Sequence, residues 1–394
     1  MQRIFDHRTY AMTPAARVSA AISVLDQVLS GMPAEQALLR WSRGSRFAGS
    51  GDRAAVRDLV FGALRQRDSL AAIGGSLDGR GLMIGHARQT QQPLGSIFSG
   101  EGHAPQPLSA DEAAVTPPAD LPDDLPDWVR PQWEASLGDN ARAVAAAMAD
   151  RAPVWLRVNL ALTDPVKAAQ SLADEGILTE AFADLPSALR VTQNERLVGR
   201  SAAYRDGLVE LQDLSPQLAC ASLPLRADDR VLDYCAGGGG KTLALAARQP
   251  KARFVAHDAL PARMGDLPER AERSGAPVRI VRKPEGTFDL VVADVPCSGT
   301  GTWRRTPDAK WRLTPEQLTR LTEVQAEIID QVARLIRVGG HLAYMTCSVL
   351  DSENAAQVAG FLERHPGFSL ETDQSWTPLT AGDGFYMAVL VRNA

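Results

Sequence analysis

The sequence predicts an α/β fold: a doubly wound, mostly parallel sheet in the second half of the chain, preceded by an all-α N-terminal domain and a small α/β insert. Three observations predict it. After about Gly207 short apolar runs alternate regularly with amphipathic helices; the first 95 residues repeat an apolar stripe at helical spacing; and a Pro- and acid-rich stretch separates regions of different pattern. At 394 residues the chain has room for two or three domains with separate cores.

Taken in order, Val18, Ile22, Leu25 and Leu29 form one helical stripe, and Val56, Leu59, Val60, Ala63 and Leu64 repeat it, so residues 1–95 are expected to be a helical domain. Residues 96–127, nearly all within "SGEGHAPQPLSADEAAVTPPADLPDDLPDW" (99–128), have few large apolar side chains and read as an acidic linker. Residues 128–206 mix helices ("NARAVAAAMAD", "DPVKAAQSLADEG") with the strand "VWLRVNL" and form a small α/β subdomain. In residues 207–394, "RVLDYCA", "ARFVAHD", "VRIVR", "FDLVVADVP" and "GHLAYMTCS" suit buried parallel strands, and "GFYMAVLVR" is expected to enter antiparallel at one end of the sheet. The ligand crevice of such a sheet lies beyond the carboxyl ends of its strands.

Bulk properties exclude several classes. No run of about 18 uncharged apolar residues occurs and the opening "MQRIFDHRTYAMTPAAR" lacks an apolar leader core, so a cytoplasmic protein with no membrane partner is expected. Four cysteines are too few and too scattered for a disulfide scaffold, and their spacing suggests no metal site. The net charge of −5 does not advertise nucleic-acid binding, but its distribution is uneven: residues 1–100 carry 12 Lys+Arg against 7 Asp+Glu, and residues 101–150 carry 2 against 10. A basic head on an acidic connector could hold RNA locally, and an excess of that size equally suits solvated helices.

The segment "DYCAGGGGKT" has the Gly-Lys-Thr ending of a phosphate-binding loop, yet Cys235 stands where such a loop needs its first glycine. The other reading is a strand, a glycine turn and a helix, followed at Asp258, 18 residues beyond Gly240, by an acid that ends the next strand and can bind ribose hydroxyls. That arrangement suits an adenosine-bearing ligand.

Two thiols strengthen the second reading. Cys297 ends the fourth strand in "ADVPCSGTG" and Cys347 ends the fifth in "AYMTCSVL", so both are expected to face the crevice, whereas Cys220 and Cys235 read as small buried apolar side chains. Thiolate addition at C6 of a pyrimidine makes C5 nucleophilic toward a methyl donor, and loss of the C5 proton then expels the thiol. Asp294, three residues before Cys297, is a candidate acid for N3 of the base or a contact to the cofactor.

With those motifs in view, residues 207–392 closely resemble the RNA 5-methylcytosine methyltransferases of the NOL1/NOP2/Sun family, through "ELQDLSPQLA", "DYCAGGGGKT", "DVPCSGTGTWRRTPDAKW", "TCSVLDSEN" and "DGFYMAVLVR". The resemblance implies a Rossmann-like methyltransferase sheet and S-adenosylmethionine as cofactor. It implies Cys347 as the C6 nucleophile, Cys297 as the thiol that assists product release, and Lys241 near the reacting centre. It also assigns Cys235, Ala236, Gly237, Gly238, Gly239, Gly240 and Lys241 to the cofactor loop, Asp258 to the ribose, and Asp294 to the target base and methionine part. The sequence departs from the family twice. Gly237 and Gly238 replace the usual Ala-Pro pair, and between the third and fourth strands "VRIVRKPEGTFD" offers no Asp before Asp289 for the adenine, for which Glu285 is the expected substitute.

The helical head resembles a NusB-type RNA-binding domain, and head plus core is similar to the Sun branch, which modifies small-subunit ribosomal RNA. The expected partner is therefore RNA, 16S rRNA first, with Arg53, Arg57, Arg65 and Arg67 as phosphate contacts and Trp303, Arg304 and Arg305 stacking or binding backbone near the crevice. Two other classes stay open: a P-loop NTPase, and a non-catalytic RNA-binding scaffold. No oligomeric state is assigned.

Overall fold

The computed structural model describes residues 11–394; the first ten, part of the opening segment read for a leader, lie outside the described residues. The chain divides into two compact units, one of residues 1–130, 142–151 and 303–313, the other of residues 131–141, 152–302 and 314–394. Among the described residues no helix is long and apolar enough to cross a membrane.

The first unit is helical. Its first helices are α1 (Pro14–Leu29), α2 (Ala34–Gly44), α3 (Ser50–Arg65), α4 (Arg67–Gly74) and α5 (Gly79–Gln89). Thr13 caps α1 by accepting from the Ala16 amide, and Pro14 starts the helix where no donor is needed. Of the predicted stripe Val18 and Leu25 are buried, and with Ala21, Val24 and Val28 they pack in one core with Val56, Val60 and Leu64 of α3 and Leu82 and Met83 of α5. Ile22 and Leu29, also in that stripe, are only half-buried.

The stretch expected as a linker packs on this unit. Asp124 accepts from the Asp68 and Ser69 amides at 2.8 and 3.0 Å and from the Ser69 hydroxyl at 2.8 Å, while Glu112 pairs with Arg80 at 2.6 Å. Its carboxylates, which looked like solvated charge, satisfy a helix start and a guanidinium.

The second unit holds two sheets. The smaller comprises β1 (Val154–Val158), β2 (Leu178–Phe182), β3 (Leu185–Gln193) and β4 (Val209–Leu211), in the order β2-β3-β1-β4 with every pair antiparallel. Strand periodicity sends Leu156 and Val158 of β1 into a core with Ala168 and Leu172 of the Pro165–Asp174 helix, and sends Trp155 and Arg157 to the opposite face.

The larger sheet comprises β5 (Arg230–Asp233), β6 (Arg253–Ala256), β7 (Val278–Ile280), β8 (Phe288–Asp294), β9 (Ile336–Thr346), β10 (Phe368–Trp376) and β11 (Phe385–Arg392). Its order is β10-β11-β9-β8-β5-β6-β7. Strands β5 to β9 pair in parallel and β11 is antiparallel to both β9 and β10. Both faces are covered, which is why the strands read as continuous apolar runs. Val231, Leu290, Val292, Ala343 and Met345 pack under the Leu214–Ser222 and Gly240–Arg248 helices, and Leu232, Val291, Leu342 and Tyr344 pack under Ile329, Val332 and Phe361. One expectation is corrected: β11 does not close one end of the sheet but is inserted between β9 and β10. The edge strand was illegible because seven of its nine residues, between Phe368 and Trp376, are exposed and mostly polar.

Candidate active site

The strand order reverses between β5 and β8, and the crevice at this point is bordered by the glycine turn after β5. Gly237 and Gly239 have φ of +48° and +78°, a region that favours glycine, and a Cβ on Gly239 would lie 2.2 Å from the Leu267 side chain. The turn is closed by the Gly239 amide donating to the Ala236 carbonyl at 2.8 Å. Asp258, 4% exposed beyond the end of β6, accepts from the Gly237 amide at 3.0 Å and the Leu260 amide at 2.9 Å, with Arg263 at 3.4 Å. The predicted cofactor acid and loop are therefore in direct contact.

Lys241, in the first turn of the Gly240–Arg248 helix, donates to Asp294 at 2.5 Å. Burial alone would lower the Lys241 pKa, but the charge and hydrogen bond of Asp294 outweigh it and hold the ammonium above its ordinary value. Thr242 donates to Asp233 at 2.6 Å. Both side chains that a phosphate loop would turn toward a triphosphate and its metal ion are thus engaged by carboxylates, an arrangement ill suited to that ligand.

Burial raises the Asp233 carboxyl to about 6, against the lowering effect of the Thr242 bond. A folded value above the unfolded one makes its contribution to stability fullest below about pH 4 and lost as the pH rises through 6. Asp233→Asn is therefore expected to gain on the parent, by up to about 3 kcal/mol, between pH 4 and pH 7. Urea midpoints at the two pH values check this; a difference that does not change with pH would contradict it.

The two thiols meet. Cys297 Sγ lies 3.3 Å from Cys347 Sγ, both half-buried. The Cys297 S–H donating to Cys347 favours the Cys347 thiolate and lowers its pKa, while the same contact and burial push Cys297 up. Burial likewise raises Cys220, to about 11, and Cys235, so neither is a poised nucleophile.

A buried carboxylate joins the loops that carry the pair. Glu353, fully buried, accepts from the Ser298 amide at 2.8 Å, from the Ser298 hydroxyl, and from Gln325 Nε2 at 3.0 Å. Thr300 and Ser348, each next to a residue of those loops, share a hydrogen bond of 2.9 Å. Glu353 lies in the quoted "TCSVLDSEN", but a buried acid cannot be told from a solvated one in a polar run.

Other expected residues are placed differently. Glu285 lines a cleft with Arg230, Lys283 and Phe288, and its carbonyl accepts from Arg230 at 3.4 Å. Arg230 and Phe288 begin β5 and β8, so Glu285 lies near the amino ends of these strands, whereas Asp258 lies beyond the carboxyl end of β6, a placement at odds with an adenine contact. Trp303 is 1% and Arg304 5% exposed, within the helical unit, so neither presents a stacking face or head group to solvent; Arg305 is exposed. The same segment explains two of the four arginines. Arg65 donates to the Arg304 carbonyl at 2.6 Å, and Arg67 stacks 3.5 Å over the Trp311 ring, whose indole donates to the Leu64 carbonyl at 2.7 Å. Arg57 pairs with Glu35, and Arg53 is exposed.

A parallel-rich sheet with a glycine turn after β5, an acid beyond β6 and thiols beyond β8 and β9 defines the class, a Rossmann-like sheet of the methyltransferase type. Residues 220–391 match the family model described as 16S rRNA methyltransferase RsmB/F, and residues 125–197 match that of the RsmF/B-like ferredoxin-like domain. The two matches span well over half of the chain, which belongs to the RsmB/F methyltransferase family.

Among relatives, the chain is 35% identical over 251 residues to the ribosomal RNA small subunit methyltransferase B of Xanthomonas campestris, covering 61% of this chain and 57% of that one. It is 33% identical over 284 residues to the protein of that name from Sodalis glossinidius, covering 68% and 65%. The matches thus span less than two thirds of each relative's length. In fold the chain is similar to the crystal structure of PH0851, with a TM-score of 0.76, 21% identity, and coverage of 97% of this chain and 99% of that one. It is also similar to NSun6 from Pyrococcus horikoshii with SFG, with a TM-score of 0.62, 17% identity, and coverage of 68% and 99%.

Proposed function

We propose that the chain transfers a methyl group from S-adenosylmethionine to C5 of a cytosine in RNA, with small-subunit ribosomal RNA as substrate. The observation that carries this reading is the Cys297–Cys347 pair, 3.3 Å apart, with the thiolate favoured on Cys347. The names of the curated relatives support the ribosomal substrate.

The donor set fits the cofactor. Asp258 is a buried carboxylate suited to a ribose diol, and the glycine turn is a cradle whose Gly239 leaves no room for a Cβ. Asp258 and the 235–241 loop would hold the nucleoside, and Lys241 with Asp294 would face the methionine part and the base. When bound, the cofactor supplies an electrophilic methyl group on a sulfonium sulfur.

The chain's own residues would act in sequence. The Cys347 thiolate adds to C6, which makes C5 electron-rich. Asp294 already accepts from Lys241, so the pair suits a base by accepting from the exocyclic amine at Asp294 and donating toward N3 from the Lys241 ammonium. After methylation the C5 proton is lost to water, the C5–C6 double bond re-forms and Cys347 departs with its electron pair, while the Cys297 S–H beside it donates to the departing thiolate and so assists release. The test is methyl incorporation from labelled S-adenosylmethionine into 16S rRNA, naked or in small-subunit particles, followed by bisulfite mapping. A protected cytosine is expected; label at any other position, or none in either substrate, would overturn the reading.

A further inference from the structure

A run of four glycines has more backbone freedom to lose on binding than any other tetrapeptide, so a turn made of them needs holding from outside. Its carbonyls are held by two side-chain groups. Arg270, in the Leu267–Arg273 helix, donates through Nη1 to the Gly238 carbonyl. Its other edge donates to Glu210 Oε2, from Nη2 at 2.8 Å and Nε at 3.2 Å. Glu210, on β4 of the small sheet, is 1% exposed and is completed by Arg273 at 2.5 Å. On the far side of the turn the Gly240 carbonyl accepts from Arg157 Nη1 at 3.2 Å and Gln212 Nε2 at 3.4 Å. Arg157 and Glu210 thus lie on the small sheet, in β1 and β4, and Gln212 directly follows β4.

We propose that Arg270, anchored by Glu210, and Arg157 with Gln212 are positioning residues that lock the glycine turn in its ligand-binding conformation before the ligand arrives. A planar guanidinium can grip a carboxylate with one edge and a carbonyl with the other, which an ammonium cannot. The small α/β sheet thereby acts on cofactor affinity without touching the cofactor. This rests on the reading of residues 235–241 as the cofactor loop.

The space around Gly238 supplies a specific test. A Cβ there would lie 2.8 Å from Arg270 Nη1, and Gly238 is not in the left-handed region, so alanine requires the arginine head group to move and does not strain the backbone. Gly238→Ala alone should displace Arg270 and loosen the turn; in an Arg270→Ala background the same change meets open space and stiffens it.

Hydrogen exchange of residues 236–241 in the unliganded full chain and calorimetric affinity for S-adenosylhomocysteine read the effect. Arg270→Ala and Arg270→Lys should each speed exchange of these amides and weaken binding roughly tenfold, and adding Gly238→Ala to Arg270→Ala should recover part of both. Exchange and affinity within about twofold of the parent in Arg270→Lys, which keeps the charge facing Glu210, would overturn the proposal. So would Gly238→Ala acting equally in both backgrounds. Exchange needs no ligand, so a parent that fails to bind S-adenosylhomocysteine would remove the cofactor reading and leave the bracket to be judged by exchange alone.

Discussion

On the proposed mechanism Cys347→Ala is expected to abolish methyl transfer to RNA, by a factor of at least roughly 10⁴, because it removes the electron pair that activates C5. The neighbouring thiol cannot take over. Cys297 is pushed up by burial and by its contact with Cys347, and stays a thiol where Cys347 becomes a thiolate. The substitution removes one sulfur from a half-buried position and none of the contacts of Asp258, Gly237 or Lys241. Affinity for S-adenosylhomocysteine should therefore stay within about twofold of the parent. Single-turnover transfer from labelled S-adenosylmethionine, with calorimetry on the same sample, checks both halves. Appreciable turnover in the variant would remove Cys347 as the nucleophile, whereas lost transfer with lost cofactor binding would indicate a collapsed site.

The second large effect is of the opposite kind. On the proposed mechanism Cys297→Ala leaves the nucleophile but removes the S–H that stabilises it as it departs, so RNA should accumulate as a covalent adduct on Cys347, stable on a denaturing gel, while multiple turnover falls by about 10²- to 10⁴-fold. A pH signature accompanies it. The Cys297 S–H is what lowers the Cys347 pKa, so its loss moves that pKa upward and shifts the acid limb of adduct formation to higher pH than in a parent assayed for the same step. Absence of a gel-stable complex, or an unshifted limb, would argue that Cys297 neither assists release nor poises its neighbour.

Much of this was legible from spacing. Parallel strands buried on both faces are apolar throughout, which is why β5, β6, β8 and β9 stand out in the sequence, and a strand's end fixes where the next side chain faces. That is how Asp258, Asp294, Cys297 and Cys347 could be assigned to one crevice before any coordinates. What escaped is polar. Edge strand β10 shows no apolar alternation. Trp303, Glu353, Arg157 and Glu210 look like solvated or ligand-facing residues, because burial of a polar group depends on partners distant in sequence: Glu353 is 55 residues from Ser298, and Arg270 is 60 from Glu210. Glu285 was misplaced for a related reason, since a loop without periodicity carries no sign of which end of a sheet it returns to.

The amino-acid sequence by itself determined the parallel strands, the residues at their carboxyl ends and the glycine turn, since these follow from local periodicity and from which residues tolerate a given backbone conformation. Tertiary structure alone decided that the two thiols touch, that a buried glutamate ties their loops, that Trp303 is core rather than ligand surface, and that two arginines hold the carbonyls of the turn. Those facts arise from hydrogen bonds and packing between segments that the chain separates by tens of residues, and no local pattern encodes them.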